Sequence, residues 1–293
     1  MCRDSATTAT ASAPLADEAD AFLKLNARVA YKSKQFLAEA KASGKSVPAE
    51  VEPSTRPMTF LWCGSPIYQS RYGWMVYCYA ALSAGLIAHS FNEMGPVCSF
   101  VCFLATYIIY DCYSGVLHVL CDDTRNLCLP FVGQPCLEFQ WHHHIPDDIV
   151  RKGYIQVCGD LNFVVTSLLS THICITGNMG RDPLVLGLLG WKILAAYFGQ
   201  FSHRCAHMGL SQRGPSITKL QNTGIMTSYA QHHVHHTPPH DSNFCLLGPC
   251  NNFVQFLTRA IPDYRVWRVL FFVWTIFDIP LIAVALRWAF ESK

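Results

Sequence analysis

This 293-residue chain carries thirteen histidines, and most of them stand in groups whose spacing suits a metal ion. The groups are Asp111 with His118-x-x-x-Asp122, then His142-His143-His144, His203-x-x-x-His207, His232-His233-x-His235-His236, and His240. Residues four apart on an α-helix project from one face, so His118 with Asp122, and His203 with His207, can each grip one centre. His232, His235 and His236 stand at i, i+3 and i+4, a spacing that aims three imidazoles at one point. Neutral imidazole is a transition-metal ligand, and this supply exceeds what one tetrahedral zinc takes. Two six-coordinate ions would use about this many. Imidazole and carboxylate, with no C-x-x-C anywhere in the chain, suit iron that keeps positions open for O2. Lone His89 and His172 read as ordinary packed or surface histidines.

Something must bring these groups together. Hydrophobic residues make up 51% of the chain and charged residues 14%, with a mean hydropathy of +0.20. Soluble domains carry roughly 25% charged residues, so the composition excludes a disordered chain, a coiled coil and an ordinary cytosolic enzyme. A net charge of +2 is too small for a nucleic-acid footprint. The expectation is an all-α, multi-pass transmembrane protein of four or five spans. Residues 72–92 carry no charge, 95–121 are interrupted only by Asp111, 161–179 are uncharged, and 183–200 contain only Lys192. Each is about long enough to cross a hydrocarbon core of roughly 30 Å. A last apolar segment, 269–285, holds Asp278 and Pro280, and it crosses, re-enters or lies in the interface. Lys192 reads as a snorkelling side chain. Asp111, deep in an apolar span, is either a group that orients a ligand or a helix-packing residue, with the first slightly preferred.

A cytosolic, Lys-bearing N-terminal region fixes the topology through the positive-inside tendency. The spans then place every histidine except His89 and His172 on the cytosolic side. The domain reading is a polar region over 1–70, a membrane domain over 71–260 and a hydrophobic segment with a tail over 261–293. Residues 6–14 are low-complexity and expected to be disordered. Phe22, Leu25, Val29 and Phe36 recur at helical spacing over 17–42, marking a helix that lies on the membrane or stays solvated. The N-terminus has no secretory-signal or transit-peptide character, since Asp17, Glu18 and Asp20 are acidic. The fourteen scattered cysteines, many inside apolar runs, read as small buried hydrophobes in a reducing or lipid environment.

The ordered series DCYSGVLHVLCD (111–122), LPFVGQ (129–134), HHI (143–145), H-x-x-x-H, LQNTG (220–224) and HHVHHTPPHDSNFC (232–245) resembles the Kua-type lipid desaturase family. The resemblance covers about residues 73–256. The family includes plasmanylethanolamine desaturase, which makes the vinyl ether of plasmalogens, and the plastid desaturase that acts on the palmitoyl group of phosphatidylglycerol. The resemblance implies metal ligation by His118, His143, His144, His203, His207, His232, His235 and His236. Asp122 and His240 also match family positions, whereas His142 and His233 have no clear counterpart. Where plasmanylethanolamine desaturases carry a histidine in a T-R-H-D-F segment, this chain reads VRKGY over 150–154, a departure that the plastid type shares. L-P-x-V-G, Gly159-Asp160, the Gly-Leu after His207 and Pro-His before Asp241 look more like the plasmanylethanolamine branch. Phe-Gln-x-His-His (139–143) looks more like the plastid type.

What the resemblance implies is an O2-dependent desaturase with two iron ions, of the plasmanylethanolamine type, in the endoplasmic reticulum membrane with its metal site facing the cytosol. Acyl-chain desaturation is the first alternative and lipid hydroxylation with the same ligands the second. A membrane metal carrier is the non-enzymatic rival, but it would need a polar path across the bilayer rather than histidines gathered on one side. No G-x-G-x-x-G or other nucleotide motif is present, so electrons must come from a partner. The family implies cytochrome b5 and its NAD(P)H-dependent reductase.

Overall fold

The computed structural model describes residues 59–62, 65–68 and 73–291, apart from 127–128, 130–131, 145, 147, 152, 160, 177–180 and 238–239. The helix expected over 17–42 and the low-complexity stretch before it lie outside the described residues. The architecture is helical, as the composition requires. A two-stranded antiparallel pair, β1 (Thr59–Trp62) and β2 (Ser65–Tyr68), is the small exception. By internal contacts the chain falls into two compact units, Met1–Ser70 with Leu120–Asp148, and Arg71–Val119 with Ile149–Lys293.

The larger unit is organised around α1 (Gly73–Asp122), which folds back on itself at Gly95. Gly95 has φ 78 and ψ 174, backbone that an L side chain rarely adopts, and Pro96 follows it. Both arms pack on α6 (Pro183–Ala206). Along the first arm, Ser83 Oγ donates to Gly190 O at 2.7 Å and Ser90 lies against Gly187, so the two helices run in opposite senses. Along the second, Phe103 meets Trp191 with ring centroids 5.0 Å apart, and Tyr110 meets Gly199 further on, so these run the same way. The break between the two expected spans is therefore a turn. Gly187, Gly190 and Gly199 permit the close approach: a methyl at Gly199 would stand 2.5 Å from Tyr110 Oη.

The remaining elements are α3 (Asp148–Arg151), α4 (Tyr154–Gly159), α5 (Asn162–Thr176), α7 (Pro215–Asn222), α8 (Tyr229–His235), α9 (Asn251–Ala260) and α10 (Tyr264–Glu291). Preceding them, α2 (Gly133–His144) belongs to the smaller unit. Three described helices, α1, α6 and α10, are long and apolar enough to cross a membrane. At 15 residues, α5 is shorter than the roughly 20 that a straight crossing takes. The last segment, left open by the sequence, is a 28-residue helix running through Pro280.

Charge decides how α10 is held. Asp182 caps α6, accepting from Leu184 N at 3.0 Å, and pairs with Arg287 of α10. Deeper in, Lys192 Nζ lies 2.6 Å from Asp278 Oδ2, with both side chains 5% exposed. Lys192 therefore does not snorkel: it is buried against the one acidic group of the last apolar segment, with the Tyr113 ring 5.4 Å away. All described cysteines are free thiols, most of them buried, as expected.

Candidate metal centre

Four local devices in the larger unit aim its histidines. The last turn of α6 carries His203, and His207 caps its C-terminus, so one helical face presents both. The LQNTG segment ends α7: Gly224 takes φ 74, and the amides of Ile225 and Met226 return to Leu220 O at 3.1 and 3.3 Å. Gln221 Nε2 then donates to Thr227 O at 3.0 Å, which delivers Ser228 as the N-cap of α8. Ser228 and Gln231 form a reciprocal capping box, and the short helix it starts carries His232 and His235, with His236 at its C-cap.

Six imidazoles converge: His118 from the second arm of α1, His203 and His207 from α6, and His232, His235 and His236 from α8. His203, His207, His232 and His236 each bring a ring nitrogen within 4.8 Å of the others. His207 Nε2 and His232 Nε2 are 2.8 Å apart, and His232 Nε2 and His236 Nε2 are 3.1 Å apart. His118 and His235 stand edge to face at 5.2 Å. His118, His203, His232 and His235 are at most 6% exposed. Burial, followed by the neighbouring imidazoles led by His207, holds His232 well below the usual histidine range, so at neutral pH it keeps a lone pair for a metal.

Backbone carbonyls set the tautomers. His118 Nδ1 faces Ser114 O at 3.1 Å and His235 Nδ1 faces Ser242 O at 3.0 Å. A carbonyl only accepts, so each Nδ1 carries the proton and each Nε2 the lone pair. His240, at φ 61, directs Nδ1 to His235 O at 2.7 Å, and its ring lies 6.4 Å from that of His235.

The segment after His240 is itself held from α1 and α6. Asp111 is fully buried, and its carboxylate accepts from the amides of Leu247 (2.8 Å), Gly248 (3.1 Å) and Cys250 (2.8 Å). Asp111 therefore fastens the loop that carries Ser242, and among the described residues its carboxylate is in neither group of converging donor atoms. Ser114 Oγ accepts from Leu246 N at 3.0 Å. Ser202 Oγ donates to Leu246 O at 2.7 Å and accepts from Thr227 N at 3.2 Å. Sequence reasoning missed Ser114 and Ser202; the only available signal was their place beside His118 and His203 in apolar helices.

In the smaller unit, His143 Nε2 lies 3.2 Å from Asp122 Oδ1, pairing two of the expected groups. His142 packs edge to face on His143 at 6.2 Å, and His144 is the last residue of α2. His233 points elsewhere, exposed and stacked on Tyr229 at 5.6 Å. His89 is exposed, and His172 is buried in α5.

A family model described as the lipid desaturase domain matches residues 107–274, which contain all six converging histidines. Fatty acid desaturase 4 of Arabidopsis thaliana, a chloroplast protein, is 31% identical over 153 residues, covering 52% of this chain and 46% of that one. Plasmanylethanolamine desaturase 1 of Mus musculus is 28% identical over 152 residues, 49% of this chain and 55% of that one. A probable fatty acid desaturase of Acanthamoeba polyphaga mimivirus is 24% identical over 186 residues, 58% and 88% of the two chains. The chain spans about half the length of the plant relatives it matches. No solved structure matches it.

Proposed function

This chain belongs to the lipid desaturase family, and we propose that it is an O2-dependent iron enzyme that removes two hydrogens from adjacent carbons of a membrane lipid. The observation that supports this best is the donor set: six imidazoles, with no thiolate among the described groups, brought together from the ends of α1 and α6 and from the short α8. That set suits iron with positions left open, and it exceeds the needs of one ion, in keeping with two. His203, His207, His232 and His236 would hold one ion, and His118 and His235 offer further ligands. When bound, iron would supply the oxidising power that no side chain has, with O2 leaving as two waters that carry the two lipid hydrogens and two protons, and with two electrons coming from a donor. The chain's own residues do the rest. Ser114 O and Ser242 O keep His118 and His235 in the Nδ1–H form, and burial of His118, His203, His232 and His235 keeps bulk water from those four imidazoles.

The substrate we infer is an alkyl ether phospholipid of the plasmanylethanolamine class, converted to a vinyl ether. L-P-x-V-G over 129–133, Gly-Leu after His207 and Pro-His before Asp241 support it. The second reading, acyl-chain desaturation, is favoured by the three Arabidopsis thaliana relatives at 27–31% identity, each named a fatty acid desaturase. Electrons would come from cytochrome b5 and its NAD(P)H-dependent reductase, at the cytosolic face of the endoplasmic reticulum.

Ether lipids decide between the readings. In cells lacking their own plasmalogen desaturase, expression of this chain should convert alkyl-ether to vinyl-ether phosphatidylethanolamine, and His235→Ala should abolish the conversion. Unchanged alkyl ethers with new acyl double bonds would reject the ether substrate and keep the desaturase. A fully active His235→Ala variant, or purified active enzyme with well under two irons per chain, would overturn the metal assignment.

A further inference from the structure

The helix α9 is not accounted for by the metal centre. It lies between the loop that Asp111 fastens and α10, and its ten residues divide into three faces. One faces inward: Val254 is fully buried, Asn251 is 5% exposed, and Asn251 Oδ1 accepts from Cys245 N at 2.8 Å. A second is apolar and bare, with Phe253 at 52% exposure, Phe256 at 64%, and Ala260 beside them. A third is polar and includes Asn252 and Arg259, both exposed. At about 100° per residue these three sets occupy separate arcs, so the exposed phenylalanines form one stripe.

Two observations fix the depth of this stripe. Val254 sits in the notch at Gly115, where an added Cβ would meet Val254 Cγ2 at 2.8 Å, and Gly115 precedes His118 by one helical turn. The helix therefore lies at the histidine end of the second arm of α1. At its other end only residues 261–263 separate it from α10, which enters the apolar layer with Val269, Phe272 and Val273 exposed. That corner is clamped: Trp267 Nε1 donates to Ile261 O at 2.9 Å, and Arg265 N donates to Asp263 Oδ1 at 2.9 Å. The bare stripe thus continues into the lipid-facing surface of a membrane span. Residues 259–268 carry Arg259, Arg265 and Arg268 and a single acid, Asp263, and Arg268 lies over the Tyr264 ring at 4.6 Å. An arginine cluster beside an apolar stripe at a span's end has the chemistry of an anionic phospholipid surface.

We propose that α9 lies in the plane of the bilayer on the histidine side, with Phe253 and Phe256 inserted among the acyl chains and Arg259, Arg265 and Arg268 gathering anionic phospholipid headgroups. The assignment rests on the membrane spans and not on the reaction, and it stands or falls separately from the desaturase reading. Its consequence is a local pool of anionic lipid on the membrane face where the metal centre lies.

Photocrosslinking tests it. A photoreactive benzoylphenylalanine is placed at Phe256 of the full chain, and separately at Phe253, so that misfolding of one variant is not decisive. Each protein is reconstituted in vesicles of phosphatidylcholine with about 30 mol% phosphatidylglycerol, irradiated, and analysed by intact mass and lipid adduct. Phospholipid adducts are expected at both positions. The ratio of phosphatidylglycerol to phosphatidylcholine among the adducts should exceed the ratio in the vesicle by roughly fivefold, which is what about 1 kcal/mol of attraction to one basic side chain gives. That enrichment should vanish in the Arg259→Gln, Arg265→Gln, Arg268→Gln variant while the adducts themselves remain. A crosslinked dimer in place of lipid adducts would assign the stripe to a second copy of the chain and overturn the proposal. So would water-quenched label at both positions, or enrichment that the triple variant leaves intact.

Discussion

The Lys192–Asp278 pair allows a prediction in which the sign, as well as the size, is set by the structure. The two charged atoms are 2.6 Å apart, both side chains are 5% exposed, and both sit within long apolar helices. Desolvating two charges offsets most of their attraction, so the pair as a whole contributes little net stability. Removing one member is different, because the survivor is left buried without a counter-charge, at about 3–5 kcal/mol. Lys192→Met keeps the aliphatic stem and Asp278→Leu keeps most of the volume, so cavity terms stay small. Each single variant should therefore lose about 3–5 kcal/mol, while the double variant should fall within about 1 kcal/mol of the parent. The second tie between these helices, Asp182 with Arg287, stays in place, so the loss reports the orphaned charge rather than detachment of α10. Along α6, Lys192 lies eleven residues before His203, roughly 16 Å at 1.5 Å per residue, so turnover per folded molecule should not change. The assay is the loss of folded, monodisperse protein in detergent as a function of temperature and denaturant, for the full double-mutant cycle. Single variants within about 1 kcal/mol of the parent, or a double variant as weak as the worse single, would refute the reasoning.

Two further outcomes follow from the contacts around the centre. Asp111→Ala orphans the amides of Leu247, Gly248 and Cys250, each worth about 1–3 kcal/mol; both stability and bound iron should fall, with iron content by mass spectrometry as the check, and full iron retention would place the loop outside the support of His235. Gly199→Ala pushes a methyl to 2.5 Å from Tyr110 Oη and should cost about 1–3 kcal/mol, partly recovered by adding Tyr110→Phe; a midpoint unmoved by Gly199→Ala would show that the two helices can separate freely.

Much of the centre was legible in the chain because its signals are local. The i, i+4 pair of His203 and His207 lands on one face of α6 because backbone geometry alone dictates it. The i, i+3, i+4 set at His232, His235 and His236 needs only a helix there, and the Ser228–Gln231 capping box starts one. The low charge content likewise required apolar helices, and the Gly95-Pro96 pair divided the first two.

The tertiary structure alone decided the rest. Asp111 read as a group that orients a ligand or packs a helix; its actual partners lie 136 to 139 residues away, and no periodicity carries that information. Lys192 read as snorkelling because a lone cation in an apolar run has no local partner, whereas folding brings Asp278 to it from another helix. Ser114 and Ser202 looked like small polar residues in membrane helices, and they became supports only when the loop after His240 closed on them. Spacing along one helix follows from fixed rise and rotation, so residue order determines it. A hydrogen bond between elements depends on how whole helices dock, which is set by the summed packing of side chains such as those at Gly187, Gly190 and Gly199 and is written in no single segment.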